Sequence, residues 1–122
     1  MDLRIQQLYR QLDTVKSLIQ SKEHAVEVVR KLSQSAGWRE RCSAALVVTE
    51  FRLGEQIPLL VETFKSNPEI HTCRCFTRMI TEVLHQTGLQ YLVTMKESCN
   101  IDARGLVLIK EIDNAIQRIQ KA

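Results

Sequence analysis

The stretch from Trp38 to Ile70 constrains the fold most, because it contains the clearest helix–turn–helix pattern in the chain. Small and apolar residues recur at helical spacing after Trp38. Gly54 stands where a helix C-terminus commonly adopts the left-handed conformation, and Pro58 falls in the first turn of the following helix. The pattern predicts an α-helical hairpin over residues 38–66. Its second helix should bury one face, formed by Ile57, Leu60, Val61 and Phe64.

A similar arrangement recurs farther along the chain. Gly88 lies 34 residues after the first turn glycine, and each glycine precedes a shorter helix that follows a longer one. Helical periodicity predicts two further hairpins, at about residues 3–35 and 68–98, and a final helix at 102–121. Because such pairs stack on one another, we predict one all-α domain over residues 1–122, an α-α superhelix of about seven helices.

Polar residues mark the starts of the other predicted helices. Ser21 can cap the second helix, and Asp102 can cap the last one. Asn67 followed by Pro68 is typical of a helix start, and the long helix that begins there should end at Gly88. These polar residues mark where three of the predicted helices begin.

The hairpin over residues 38–66 resembles a HEAT repeat. In that family a Trp or Val followed by Arg opens the first helix, small residues lie in its middle, and a Gly precedes Ile-Pro-x-Leu in the second. The matching residues here are Trp38-Arg39, Ser43-Ala44-Ala45, Gly54 and Ile57-Pro58-Leu59-Leu60. The resemblance covers about one repeat, and it implies stacked hairpins with an extended curved surface made mostly by the second helices.

Composition favours an intracellular helical protein. Aromatic residues make up 5% of the chain, with only four Gly and two Pro, which favours helices over a β-sandwich. The four cysteines form no pattern typical of secreted disulfide frameworks, and the N-terminus lacks the apolar run of a signal peptide. No apolar run reaches the roughly 18 residues of a membrane span. We expect a cytoplasmic location, with the nucleus as the alternative, and no contact with membranes.

The cluster His71, Cys73 and Cys75 has the residue types of a metal site but not the spacing. Residues two apart on a helix point to nearly opposite sides, so the two thiols cannot share a tetrahedral ion, although His71 and Cys75, four residues apart, could. No second pair of ligands follows at a suitable spacing. We therefore predict no metal and no cofactor, with Cys73 in the core and Cys75 partly exposed.

Catalytic patterns are absent from the sequence. All three histidines, His24, His71 and His85, fall on predicted helices, and no glycine-rich turn could raise a nucleophile or cradle a phosphate. We expect no enzymatic activity and no small-molecule substrate.

Several large or charged side chains have both a structural and a functional interpretation. Trp38 is either a cap on the core between the first and second hairpins or an exposed binding anchor. Arg39, Arg41, Arg74 and Arg78 could line one ridge that grips acidic peptides or phosphates, or they could be solvated charges. Charges on the face of a helix are more commonly solvated than part of a binding site.

Stacked hairpins favour a non-catalytic protein-interaction module, a scaffold or adaptor that binds protein partners through its second helices. The candidate partner-binding residues are Lys22, Arg30, Glu55, Glu62, Lys65, Lys96 and Glu97. The alternatives implied by the HEAT resemblance are binding of a nucleic-acid backbone in the concave surface and a cofactor lyase or chaperone. The net charge of +3, from 17 basic and 14 acidic residues, is too small to favour nucleic acid.

Apolar stripes on the first and last predicted helices suggest association. They are formed by Ile5, Leu8, Leu12, Val15 and Ile19 at one end and by Ile109, Ile112, Ile116 and Ile119 at the other. A terminal helix of a stack has one outward side, which should be polar in a soluble monomer. The stripes therefore favour pairing through these helices, most simply as a homodimer, and the alternative is broader packing within the chain.

Overall fold

The computed structural model describes residues 16–35 and 37–121, and within them the protein contains helices and no strand. Six α-helices follow one another, and 3-10 turns at Gly54–Gln56 and His85–Gly88 precede the third and the fifth. The helices are α1 (Lys22–Ser33), α2 (Trp38–Phe51), α3 (Ile57–Ser66), α4 (Ile70–Leu84), α5 (Leu89–Glu97) and α6 (Ala103–Lys121). Residues 16–18 are also helical, whereas most of the first predicted helix, including Ile5, Leu8, Leu12 and Val15, lies outside the described residues.

The helices form two layers. In the first layer α2 packs on α4 and α4 packs on α6, while α1, α3 and α5 cover one side of them. The helices α2 and α4 run parallel, because Trp38 stacks on His71 near their N-termini and Arg52 Nη1 donates to the Glu82 carbonyl near their C-termini, at 2.9 Å. Because it contacts both α2 and α6, the helix α4 lies in the middle of the first layer.

The core lies between the two layers. It contains the predicted face of α3, with Ile57, Leu60, Val61 and Phe64 all buried, which confirms the helical period inferred for that segment. Pro58 lies in the first turn of α3, as predicted. Burying a large aliphatic or aromatic side chain contributes roughly 1.5–3 kcal/mol, so this one face stabilises the pairing of the layers substantially.

Two of the predicted caps are confirmed and one is wrong. Ser21 Oγ accepts a hydrogen bond from the His24 amide at 3.1 Å, and Asp102 Oδ1 accepts one from the Gly105 amide at 2.7 Å. The cap of α4 is Glu69 and not Asn67, whose amide instead completes the last turn of α3. The Glu69 carboxylate accepts from two free amides of the first turn of α4, at 2.8 and 2.9 Å, and the charge suits that end of the helix dipole.

The prediction that Gly54 is left-handed is wrong. The residue that ends α2 in the left-handed region is Arg52, with φ 55° and ψ 48°, and among the described residues no glycine has a positive φ. The long helix α4 likewise ends at Leu84, before His85 at φ 52°, and not at Gly88. Gly54 opens its 3-10 turn whereas Gly88 closes the other, so the two glycines are not equivalent positions. The first-layer helices start at residues 38, 70 and 103, intervals of 32 and 33 residues.

The two cysteines of α4 point to opposite sides, as predicted, yet both are buried. Cys73 Sγ lies 3.8 Å from the Leu108 carbonyl of α6, while Cys75 faces Cys42 of α2. The expectation that Cys75 is partly exposed is wrong, because α4 is covered by a neighbour on each side within its layer.

Candidate interaction surface

An open apolar groove lies between α5 and α6, with a volume of about 470 Å³. Its walls are formed by Val93, Lys96 and Glu97 of α5 and by Ile109 and Ile116 of α6. Cys99 and Ile101 of the connecting segment close one end. The Ile101 side chain is 89% exposed, and Val93 is 40% exposed. Apolar side chains are usually withdrawn from water, so their concentration in one groove indicates a contact surface.

The short connection between α5 and α6 shapes this groove. Gly105 is buried against Asn100, and a Cβ at Gly105 would overlap the Asn100 carbonyl group. Asp102 caps α6 through its contact with the same glycine. The chain therefore turns tightly between the helices, and this turn leaves Ile101 directed toward solvent at the mouth of the groove.

An ion pair fixes the two helices farther along. Lys96 Nζ lies 2.8 Å from Asp113 Oδ1, and both side chains are about two-fifths exposed. Such exposed pairs contribute little stability, roughly 0–1 kcal/mol, so this one adds little to the packing of α5 against α6. The rim of the groove consequently carries both signs of charge, with Glu97 beside the pair.

The groove lies along the flank of α5 that faces away from α3. In the second layer α3 covers one side of α5, and among the described residues no helix covers the other side. A further second-layer helix would contact α5 and α6 along this groove. The groove is thus an open edge of the second layer within the described residues.

The apolar stripe predicted on the last helix is split by the fold. Ile112 and Ile119 are buried in the core of the chain itself, while Ile109 and Ile116 are partly exposed and line the groove. The outward face of α6 is apolar near its start, where the Leu106 and Val107 side chains are 54% and 51% exposed. Farther along the helix this face is polar, with Lys110, Asn114, Gln117 and Lys121 exposed.

The N-terminal stripe has one member among the described residues. Ile19 is buried in the core, so it packs within the chain. The neighbouring Leu18 is exposed, and Lys16 forms an ion pair with Glu50 of α2.

The predicted partner-binding residues are all exposed but do not form one surface. Lys96 and Glu97 line the groove described above. Lys22 and Glu55 line a separate depression of about 300 Å³ beside the first 3-10 turn. The remaining three make local ion pairs on single helices: Glu62 with Lys65 at 3.2 Å, and Arg30 with Glu27 at 3.4 Å.

The predicted ridge of arginines does not form as a unit. Arg41 is buried, because its side chain turns under the end of α3. Arg74 pairs with Glu111 at 3.4 Å and Arg78 with Glu82 at 2.8 Å, in an open groove of about 810 Å³ between α4 and α6. Arg118 also lines this groove. Two of its three positive charges are thus offset by neighbouring carboxylates.

Trp38 is half-buried and joins α2 to α4. Its ring stacks on His71 with the centroids 4.2 Å apart, and the Arg39 guanidinium lies 4.8 Å from its centroid on the same helix. His71 Nδ1 lies 2.8 Å from Glu69 Oε1. Trp38 therefore bridges the second and third predicted hairpins and not the first and second.

The thiols of Cys42, Cys73 and Cys99 are free and ionise less readily than an exposed thiol. A hydrogen bond with Cys75, together with burial, raises the pKa of Cys42, and burial raises the pKa values of Cys73 and Cys99. Because the thiolate is the reactive form, these groups are poor nucleophiles near neutral pH. Across residues 16–35 and 37–121, no three His, Cys, Asp or Glu side chains come together in a way that could hold a metal ion.

The sequence prediction missed the residues that give the groove its apolar character, Val93, Cys99 and Ile101. A signal for one of them was present, since Ile101 is an apolar residue in a polar segment between two predicted helices.

None of the helices that the structure describes combines the length and apolarity required to cross a bilayer. Comparison with protein-family models, with curated protein sequences and with solved structures gives no significant match.

Proposed function

We propose that this protein is a non-catalytic protein-interaction module, a scaffold or adaptor, which binds an amphipathic helix of a partner in the groove between α5 and α6. The observation that carries the proposal is the cluster of exposed apolar side chains at the open edge of the second layer. A partner helix there would bury Val93, Ile101, Ile109 and Ile116, as α3 buries the opposite flank of α5. Helix-in-groove recognition uses apolar anchors at this kind of spacing.

The order of the helices supports a finer description of the fold. First-layer helices start at intervals of 32 and 33 residues, and second-layer helices follow the first two of them, a pattern that favours an α-α superhelix of the HEAT type. Among the described residues no second-layer helix follows α6, and the partner helix would occupy that place.

The shape of the groove favours a helix as its occupant. Ile109 and Ile116 are seven residues apart, about 10.5 Å along α6, which matches two helical turns of a partner. The rim carries Lys96, Asp113 and Glu97, so the partner helix should have flanking charges of both signs. We assign the occupant to a helix of a different protein, and association with a second copy of this chain is the alternative outcome of the test.

A displayed library of helical peptides, selected on the purified protein, tests this proposal. Ile101→Glu and Val93→Glu change side chains that are largely exposed, so both variants should fold, which circular dichroism can verify. Selected peptides should bind either variant at least tenfold more weakly, a loss of about 1.4 kcal/mol. The matched control is Asn114→Glu on the polar outer face of α6, which should keep the wild-type affinity.

The proposal would be refuted by peptides that bind the groove variants and the wild type equally. Light scattering on the same samples distinguishes self-association. A dimer that Ile101→Glu dissociates would assign the groove to a second copy of this chain and not to a different protein.

A further inference from the structure

Arg41 is the one charged side chain that the described part of the fold buries. It lies in the second turn of α2 and is 2% exposed. Its Nη1 donates to the Asn67 carbonyl at 3.0 Å and the Thr63 carbonyl at 3.3 Å, at the end of α3. A cation at this position suits the free carbonyls and the negative end of the helix dipole.

Capping of α3 accounts for one nitrogen of the guanidinium and leaves two. Nε and Nη2 are both buried and have no hydrogen-bond partner among the described residues. These two nitrogens form one edge of the planar group, because Nη1 lies on the side of Cδ. Their N–H bonds point the same way, which is the arrangement that grips two oxygens of one anion.

Leaving these two buried donors without partners lowers the stability of the fold. A buried donor without a partner costs roughly 1–3 kcal/mol, and more when it belongs to a charged group. Burial lowers the pKa of the Arg41 guanidinium, while the nearby Glu69 carboxylate partly offsets this effect. Glu69 is itself engaged with the first turn of α4 and with His71, so it does not complete the pairing of Arg41.

The side chain borders a surface depression of about 240 Å³. Apart from Arg41, the lining consists of serine, threonine, glutamine and asparagine residues, and none of the described residues in it is acidic. Ser35 Oγ accepts a hydrogen bond from the Gly37 amide at 3.1 Å, so its own proton remains available to a ligand. The Asn67 side chain offers a second neutral donor beside it.

We propose that this depression binds an oxyanion, a phosphate-type or carboxylate group that places two oxygens on Nε and Nη2 of Arg41. Ser35 and Asn67 would hold its remaining oxygens. The site shares no lining residue with the groove between α5 and α6, and it does not depend on a partner helix.

The direct test follows the arginine Nε–H resonances of the isotopically labelled wild-type protein. The protein is titrated separately with inorganic phosphate, sulfate and acetate, with sodium chloride keeping the ionic strength constant. At least one anion should move the Arg41 signal saturably, while the signal of the exposed Arg118 stays in place. Response to phosphate and sulfate alone would indicate a tetrahedral ligand, and response to acetate alone a carboxylate.

The substitution Arg41→Lys separates charge from geometry. Lysine keeps the positive charge but lacks the two-donor edge, so the anion affinity should fall at least tenfold. Arg118→Lys is the matched control and should bind as the wild type does. The proposal is overturned if none of the three anions moves the Arg41 resonance saturably, or if Arg41→Lys retains the affinity. Should that variant fail to fold, the wild-type titration decides alone.

Discussion

At the scale of single residues, two side chains occupy backbone conformations that usually belong to glycine. Arg52 ends α2 at φ 55° and ψ 48°, and its guanidinium compensates by donating to the Glu82 carbonyl of α4. His85 lies at φ 52° and ψ −129°, a region where a Cβ is crowded by the backbone. Because the His85 side chain is exposed, its packing contacts offset little of this strain.

We expect His85→Gly to raise the free energy of unfolding by about 1 kcal/mol, because the substitution removes the Cβ that makes this conformation unfavourable. Urea denaturation measures the change. The control is Gln86→Gly in the same 3-10 turn, where φ is not positive and glycine should destabilise the fold. A lower stability for His85→Gly would show that the histidine ring contributes contacts worth more than the strain.

Gly105→Ala should destabilise the protein, although alanine is the better helix former by about 1 kcal/mol. Gly105 is buried against the Asn100 backbone, and the new methyl group would force the connection between α5 and α6 apart. We expect a net loss of about 1–3 kcal/mol, the usual range for overpacking. Asn114→Ala, at an exposed position of α6, is the control for helix propensity. Stabilisation by Gly105→Ala would contradict the tight turn.

At the scale of elements, α4 has the most demanding position, with α2 on one side and α6 on the other. Its N-terminus is capped by Glu69, and its two thiols are buried on opposite flanks. Because the Cys73 thiol is fully buried, the free energy of unfolding should vary with pH in the alkaline range.

We expect the free energy of unfolding to fall as the pH rises above about 8.5, where thiols of the unfolded chain begin to ionise. Burial raises the pKa of Cys73 in the folded state, so above that pH the unfolded state binds fewer protons than the folded state. Each such thiol contributes a slope of about 1.4 kcal/mol per pH unit, and its full contribution is present below that pH. Cys73→Ala should reduce the slope by this amount in urea melts, and equal slopes would exclude the mechanism.

The sequence predicted individual elements better than their surroundings. The buried face of α3 followed from Ile57, Leu60, Val61 and Phe64, because helical spacing alone determines which side chains share a face. The burial of Cys75 could not be predicted, since it depends on α2 covering a flank of α4. The left-handed end of α2 was missed because Gly54 matches the usual pattern better than Arg52.

The sequence predicted only part of the candidate site, because the surroundings of each side chain depend on how the helices pack. Lys96 and Glu97, two of the predicted partner-binding residues, line the groove, and their contact with a partner stays a prediction. Ile109 and Ile112 belonged to one predicted stripe, yet the first faces the groove and the second the core, because α5 and α4 contact different flanks of α6. The buried edge of Arg41 carried no signal in the sequence, where its neighbours Arg39 and Glu40 indicated a solvated segment.

At the scale of the whole molecule, two surfaces remain chemically incomplete within the described residues. One is the apolar groove at the open edge of the second layer, and the other is the polar depression beside Arg41 at the ends of α1 and α3. The first suits a partner helix and the second an oxyanion.

The most direct test of the proposed function is to titrate the methyl-labelled protein with a helical peptide selected on it. Isoleucine methyl signals report both on the groove, through Ile101, Ile109 and Ile116, and on the core, through Ile57 and Ile80. We predict that the three groove methyls shift together and saturate at one peptide per chain, while the two core methyls remain nearly unchanged. Shifts confined to another surface, or none in the groove, would contradict the proposal that α5 and α6 form the partner-binding site.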